Sequence, residues 1–172
     1  MKTITSDRAA FLAEDFRRGF IDYCGFRARR VESGVFESEV DIEEHHRQQD
    51  GFIHAGVMAT MADHTAGYAG FTTVDPGFQV LSVEFKINFL KPAFGRALRC
   101  RARVIRGGSR VIVAESEVFD VRVPEKSEEE EIELTAKAMV TLMAVRREKL
   151  APPSRRAARA APKKRPGPRK AP

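Results

Sequence analysis

The stretch that decides the fold is Asp50–Phe71, DGFIHAGVMATMADHTAGYAGF. From about Ala55 onward it is built of Ala, Gly, Met and Thr with almost no β-branched aliphatic residue, so it reads as a helix rather than a strand. A helix apolar around most of its circumference has to be covered nearly all round. Yet it carries a carboxylate, Asp63, in its middle, nine residues after His54 at its start.

The sequence around that helix supplies its cover. Residues 6–20, SDRAAFLAEDFRRGF, place Phe11, Leu12, Phe16 and Phe20 at helical spacing behind a Ser6 or Asp7 cap, which predicts an amphipathic helix. FRARRVE and VFESEVDI flank Ser33-Gly34 as a short hairpin, and a polar loop, EEHHRQQDG, leads into the apolar helix. After Pro76-Gly77 the period changes to two. In LSVEFKINF the residues Leu81, Val83, Phe85, Ile87 and Phe89 are expected on one face, with Ser82, Glu84, Lys86 and Asn88 opposite. RALRCRARVI alternates Leu98, Cys100, Ala102 and Val104 against Arg99, Arg101 and Arg103, which fit an exposed face, a subunit contact or a phosphate rim equally. Gly107-Gly108 turns into RVIVAESEVFDV, and an acidic loop, Glu125 to Glu131, precedes IELTAKAMVTLMAV, where Ile132, Leu134, Ala136, Ala138 and Val140 are expected to share a face. Clustered strands with one buried helix predict an α+β fold, a curved antiparallel sheet wrapped around that helix, with any remaining cover supplied by a partner subunit.

Charge divides the 172-residue chain in two. Residues 151–172 hold eight Arg and Lys, six of the nine prolines and no acid, so the formal net charge of +6 less eight leaves −2 for the rest. The expected division is one domain over residues 1–149, including the helix near 6–20, and a Pro/Ala/Arg/Lys-rich tail over 150–172. Such a tail buries no apolar surface and is expected to be disordered; any nucleic acid would be met there, through counterion release and without base stacking, since no aromatic residue is interleaved. No apolar run approaches the ~20 residues of a membrane span, and the N-terminus lacks a secretory h-region. Cys24 and Cys100 stand alone, as buried small hydrophobes in a reduced, cytoplasmic setting. Glu44, His45 and His46 lack a third ligand at a recognised spacing, so neither a metal nor a cofactor is expected. There is no G-x-S-x-G elbow and no Gly-rich phosphate loop.

His54 and Asp63 lie ~13.5 Å apart along a helix axis and on opposite sides of it. They meet only if two copies of the helix run antiparallel across a two-fold axis, as in an isologous dimer. The first-turn amides near Ala55 and Gly56 have no intrahelical partner and are suited to polarising a carbonyl oxygen, and a carboxylate opposite them can attack the carbonyl or activate water. This suggests acyl transfer to water. His64, next to Asp63, points ~100° away and is read as interface or surface.

G-F-I-H-A-G at residues 51–56, then Ala62-Asp63 and Gly67, followed by LSVEFKINFLKPAFG, resembles the hotdog-fold thioesterases of the phenylacetate-degradation group over about residues 20–147. The resemblance implies a catalytic role for Asp63, as nucleophile or general base, and a positioning role for His54. Ala55 stands where the family has the first Gly of H-G-G, whose amide binds the carbonyl oxygen, and Gly56 follows it. Gln48, with Gln49 as competitor, matches a position that holds water or the ester, and Ser82 a strand hydroxyl that assists in some members, although an ordinary strand residue fits it as well. The resemblance further implies an acyl-CoA substrate, a dimer or dimer of dimers with sites between subunits, an acyl tunnel ending near Phe71, Phe78 or Phe85, and a basic rim drawn from Lys91, Arg96, Arg106 and Arg110. Two alternatives share this framework: a hotdog enoyl-CoA hydratase or dehydratase, and a non-catalytic acyl-CoA-binding module.

Overall fold

The computed structural model describes residues 3–124 and 129–150; the basic tail and part of the acidic loop lie outside them. The elements run α1 (Ser6–Phe16), α2 (Phe20–Tyr23), β1 (Arg27–Glu32), β2 (Val35–Asp41), a 3-10 turn (Glu44–His46), α3 (Ala55–Phe71), β3 (Phe78–Phe89), β4 (Ala97–Gly107), β5 (Val111–Arg122) and β6 (Glu131–Arg146). All six strands form one antiparallel sheet in the order β1-β2-β4-β5-β6-β3. It wraps around α3, which is the hotdog fold that the sequence predicts. No helix among the described residues is long and apolar enough to cross a membrane.

The small side chains of α3 let it sit close against the sheet. Met61, Ala62, Ala66 and Ala69 are fully buried against Leu98, Ala102, Ile112, Ala114, Val140 and Leu142. At Gly70 an added Cβ would come within 3.0 Å of the Leu142 side chain, so the helix end approaches as near as a glycine allows. Two buried hydroxyl contacts fix the helix against sliding: Ser116 Oγ donates to the Ala62 carbonyl at 2.7 Å, and Ser38 Oγ lies 2.7 Å from Thr65 Oγ1. Cys100, buried among them, has its thiol pushed up to about 12 by burial.

The N-terminal helix is shorter than its pattern suggests. It ends at Phe16, Gly19 takes φ +65° in the left-handed region, and the chain restarts as α2. α1 covers α3: Phe16 stacks on Phe36 with centroids 4.9 Å apart, and Tyr68 donates to Asp15 Oδ2 at 2.9 Å. His64 is therefore not a free surface side chain. Its Nε2 donates to the Phe16 carbonyl at 2.9 Å, its ring lies 4.6 Å from that of Phe16, and burial lowers its basicity.

Two bulges overturn the expected strand faces. In β3, Ser82 pairs with Leu142 and Glu84 with Thr141, so Val83 is an extra residue and the alternation flips there. Phe85, Ile87 and Phe89 face inward as expected, but Leu81 does not share their face and Ser82 does. In β6, Ala136 pairs with Val118 and Leu134 with Phe119, which makes Thr135 the extra residue. Ile132 and Leu134 thus face outward, while Ala136, Ala138 and Val140 face the helix. β4 alternates as expected, and the convex face carries its arginines in an ion-pair lattice: Arg99 with Glu39 and Glu130, Arg101 with Glu37, and Arg103 with Glu115.

Candidate active site

α3 begins at a cleft of about 430 Å³ lined by Gln48, Phe52, Ala55, Met58, Phe89 and Lys91, among others. Three backbone bonds set that start: Ile53 N to Ala93 O at 2.9 Å, His54 N to His46 O at 2.8 Å, and Gln48 N to Phe52 O at 2.8 Å. His54 is the N-cap, and its Nδ1 accepts the Gly56 N–H at 2.9 Å. An N-capping imidazole is neutral at the accepting nitrogen, so its proton sits on Nε2, which becomes a donor. Gly56 makes this possible, since a Cβ there would lie 2.9 Å from His54 Nδ1. The Gly56 amide is thus taken by its own histidine. The Ala55 amide has no acceptor among the described residues and is exposed beside His54.

Asp63 is two turns further on, half-buried. Ser82 Oγ donates to its Oδ1 at 2.7 Å, which leaves Oδ2 unengaged among the described residues. The bulge at Val83 is what turns Ser82 to this face. Along the same strand, Val83, Phe85 and Phe89 are apolar yet 58%, 39% and 47% exposed, because β3 is an edge strand with β6 as its only neighbour among the described residues. Asp63 and the Ala55 amide are ~12 Å apart along the helix, so a single chain holds both groups without bringing them to one point.

Of the other residues singled out in the sequence, Gln48 and Lys91 line the cleft with Ala55. Lys91 pairs with Glu133, and Arg96 pairs with Glu130 at 2.9 Å. Arg106 and Arg110 flank the β4–β5 turn, and the Arg110 carbonyl accepts from Ala144, whose strand end packs by the C-terminal end of α3. The four cations therefore divide between the two ends of the helix. Phe71 is buried against Tyr68 and Phe78 lies under the Arg146 guanidinium. Gln49 is exposed outside the cleft lining. His46 is a structural pin: its Nδ1 accepts the Glu43 N–H at 3.0 Å, its Nε2 donates to the Cys24 carbonyl at 3.1 Å, and burial lowers its basicity.

The sequence reading missed the supports behind the cleft. Asp120, fully buried, accepts from Phe94 N at 3.1 Å, Gly95 N at 2.8 Å and Arg122 Nε at 2.7 Å. Arg47 donates to Gly51 O at 2.9 Å and Gly95 O at 3.2 Å, tying the loop before α3 to the loop after β3. Asp120 alternates like any strand acid, and Arg47 stands in a polar loop, so neither announced itself.

Known proteins share both the fold and this stretch. The sequence profile of the thioesterase superfamily matches residues 50–125. The crystal structure of a thioesterase family protein from Silicibacter pomeroyi, 32% identical in sequence, superposes with a TM-score of 0.73 over 80% of this chain and 98% of that one. The chain belongs to the thioesterase superfamily. A Saccharolobus solfataricus protein provisionally named an esterase is 36% identical over 90 residues, which is 52% of this chain and 64% of that protein, so the match spans just under two thirds of its length. The 1,4-dihydroxy-2-naphthoyl-CoA hydrolase of Escherichia coli is 23% identical over 119 residues, 69% of this chain and 85% of that enzyme.

Proposed function

We propose that this protein hydrolyses acyl-CoA thioesters, with Asp63 as the acting carboxylate and a dimer as the working unit. The observation that carries the reading is the Asp63–Ser82 pair: a carboxylate held by one hydroxyl at 2.7 Å, with its second oxygen open, on an uncovered apolar face. The uncovered face fits a second copy related by a two-fold axis, which would carry its own α3 start to this Asp63. The superfamily match and the likeness to a CoA hydrolase support the substrate class.

In this reading the thioester carbonyl oxygen lies against the Ala55 N–H of one subunit, with the His54 Nε2–H as second donor. Asp63 of the other subunit takes a proton from water as the water oxygen bonds to the carbonyl carbon. The negative charge that develops on the carbonyl oxygen meets two pre-placed donors and the positive end of α3, which lowers the barrier without reorganisation. Collapse breaks the C–S bond, and the proton passes to the departing thiolate. Direct attack by Asp63 Oδ2, through an anhydride that water then opens, uses the same placement. Ser82 fixes the carboxylate so that Oδ2 is the free oxygen in either route, and Gln48 stands at the cleft wall to hold the water or the ester. Residues 1–149 act as one domain.

Asp63→Asn keeps the shape and the Ser82 contact while removing the base. Thiol release from a panel of aryl, short and medium acyl-CoA compounds should fall by about 10² or more. Unchanged release across that panel would refute the assignment. Hydration of an enoyl-CoA with no free thiol would instead identify the hydratase alternative, and tight acyl-CoA binding without any turnover the binding module.

A further inference from the structure

At the mouth of the cleft the cations carry built-in counterions. The Lys91 ammonium, on the cleft wall, meets the Glu133 carboxylate. The other Glu133 oxygen lies 3.3 Å from Arg122 Nη2, and Arg122 is itself held by Asp120 at 2.7 Å. Glu133 is therefore fixed from two sides. Its backbone position is equally determined. The extra residue Thr135 flips the alternation of β6, so Glu133 pairs with Asp120 and leaves the convex face on which an unbroken strand would have put it. The carbonyl of that same Thr135 accepts from Leu90 N at 2.7 Å and Lys91 N at 3.3 Å. One bulge thus sets both partners, the lysine through its backbone and the glutamate through its direction. The Lys91 contact is the foremost reason that the Glu133 carboxyl titrates below its ordinary range. Glu130 serves the neighbouring cations in the same way, at 2.9 Å from Arg96 and 2.6 Å from Arg99.

We propose that Glu133 is a specificity-determining residue: as the intramolecular counterion of Lys91, it sets how strongly the cleft mouth draws in the phosphates of a coenzyme A thioester relative to a thioester without them. The inference rests on the hydrolase reading above. An incoming phosphate has to displace a carboxylate already bound to the ammonium, so part of its attraction is cancelled. A neutral thioester arm has no such competitor. Removing the glutamate's charge should therefore favour the coenzyme A form alone, through Lys91, and by more at low salt than at high salt.

The test presents one acyl group on coenzyme A and on N-acetylcysteamine, and reads the ratio of kcat/KM between them in wild type, Glu133→Gln, Lys91→Gln and the double variant. Glu133→Gln should raise the ratio about three- to fivefold, the range of a single exposed ion pair, and steepen its dependence on salt. In the Lys91→Gln background the same change should leave the ratio where it was. Glu133→Asp, with a shorter reach, should fall between. Hydrolysis of both substrates with a ratio that does not move in Glu133→Gln, or that moves equally without Lys91, would overturn the inference and leave the hydrolase reading standing. Hydrolysis of neither substrate by the wild type would overturn both.

Discussion

Gly56→Ala should separate stability from activity. The added Cβ would stand 2.9 Å from His54 Nδ1 and 3.3 Å from its Cε1, where ordinary contacts begin near 3.4 Å. The obstruction is an exposed side chain rather than backbone, so the imidazole swings away and the helix start stays put. The swing loses the N-cap bond, a cost of about 1 kcal/mol. Replacing a first-turn glycine by alanine returns about 0.5–1 kcal/mol through helix propensity. The two nearly cancel, and the urea midpoint should move by less than about 0.5 kcal/mol in stability. Turnover has no such offset. With Nδ1 released, nothing fixes the direction of Nε2–H at the start of α3, and in the proposed mechanism the carbonyl oxygen loses one of its two donors. Complete removal of an oxyanion donor costs ~10²–10³ in kcat; a mobile imidazole retains part of that, so a fall of about tenfold to 10² is expected. Thiol release measured with KM and kcat resolved should show the loss in kcat. Full activity in a variant of unchanged stability would mean that the His54 cap has no part in the chemistry.

Two further outcomes test the frame around the site. At Gly95 an added Cβ would lie 2.3 Å from Asp120 Oδ1 and 2.3 Å from the Val121 carbonyl oxygen; neither the buried acid nor a strand backbone can give way, so Gly95→Ala should destabilise by about 2–3 kcal/mol and lower Tm by about 5–10 °C. A Tm within about 2 °C of wild type would contradict the packing described. His46 and His64 both have basicity lowered chiefly by burial, so the unfolded chain binds their protons more readily; their contribution is complete above about pH 6.5 and is lost as pH falls below it. The urea midpoint should drop between about pH 7.5 and 5.5, and less so in His46→Gln; a flat profile over that range would refute the assignment.

What could be read from the sequence was what repeats. Period two located four long strands within a few residues, and the Ala- and Gly-rich stretch gave α3 its bounds, since burial and residue size act on every turn of an element. A bulge is a single extra residue. Nothing in LSVEFKINF distinguishes Val83 from its alternating neighbours, so strict alternation puts Leu81 inside and Ser82 outside, and the structure reverses both. The bulge at Thr135 is equally silent in the sequence and turns Ile132 and Leu134 to the other face. The surface reading of His64 fails for a different reason. Helical geometry gives a side chain's direction from its own axis, but not that α1 folds back over that side and offers the Phe16 carbonyl. The Asp63 and His54 positions were legible through spacing and family likeness; that His54 closes on Gly56 required the rotamer.

The carboxylate in an apolar helix is explained by where the cover stops. Met58, Met61, Ala62, Thr65, Ala66 and Ala69 face the sheet and are buried. Thr60, Asp63 and Gly67, three and four residues apart, form a stripe that is only half-buried. It lies between the side covered by α1 and the inner face of β3, which has no strand beyond it among the described residues. A carboxyl at Met61 or Ala66 would be driven to its neutral form by desolvation and would be useless as a base at neutral pH. Asp63 instead lies on the half-buried stripe, where the Ser82 hydroxyl meets it. A second copy laid over that stripe would remove the water while the charge is already held by a hydroxyl and met by a helix start. In the proposed dimer the site is economical only as a pair: what looks like missing cover in one chain is the surface on which the base of one subunit and the amide of the other would come within reach of the same carbonyl.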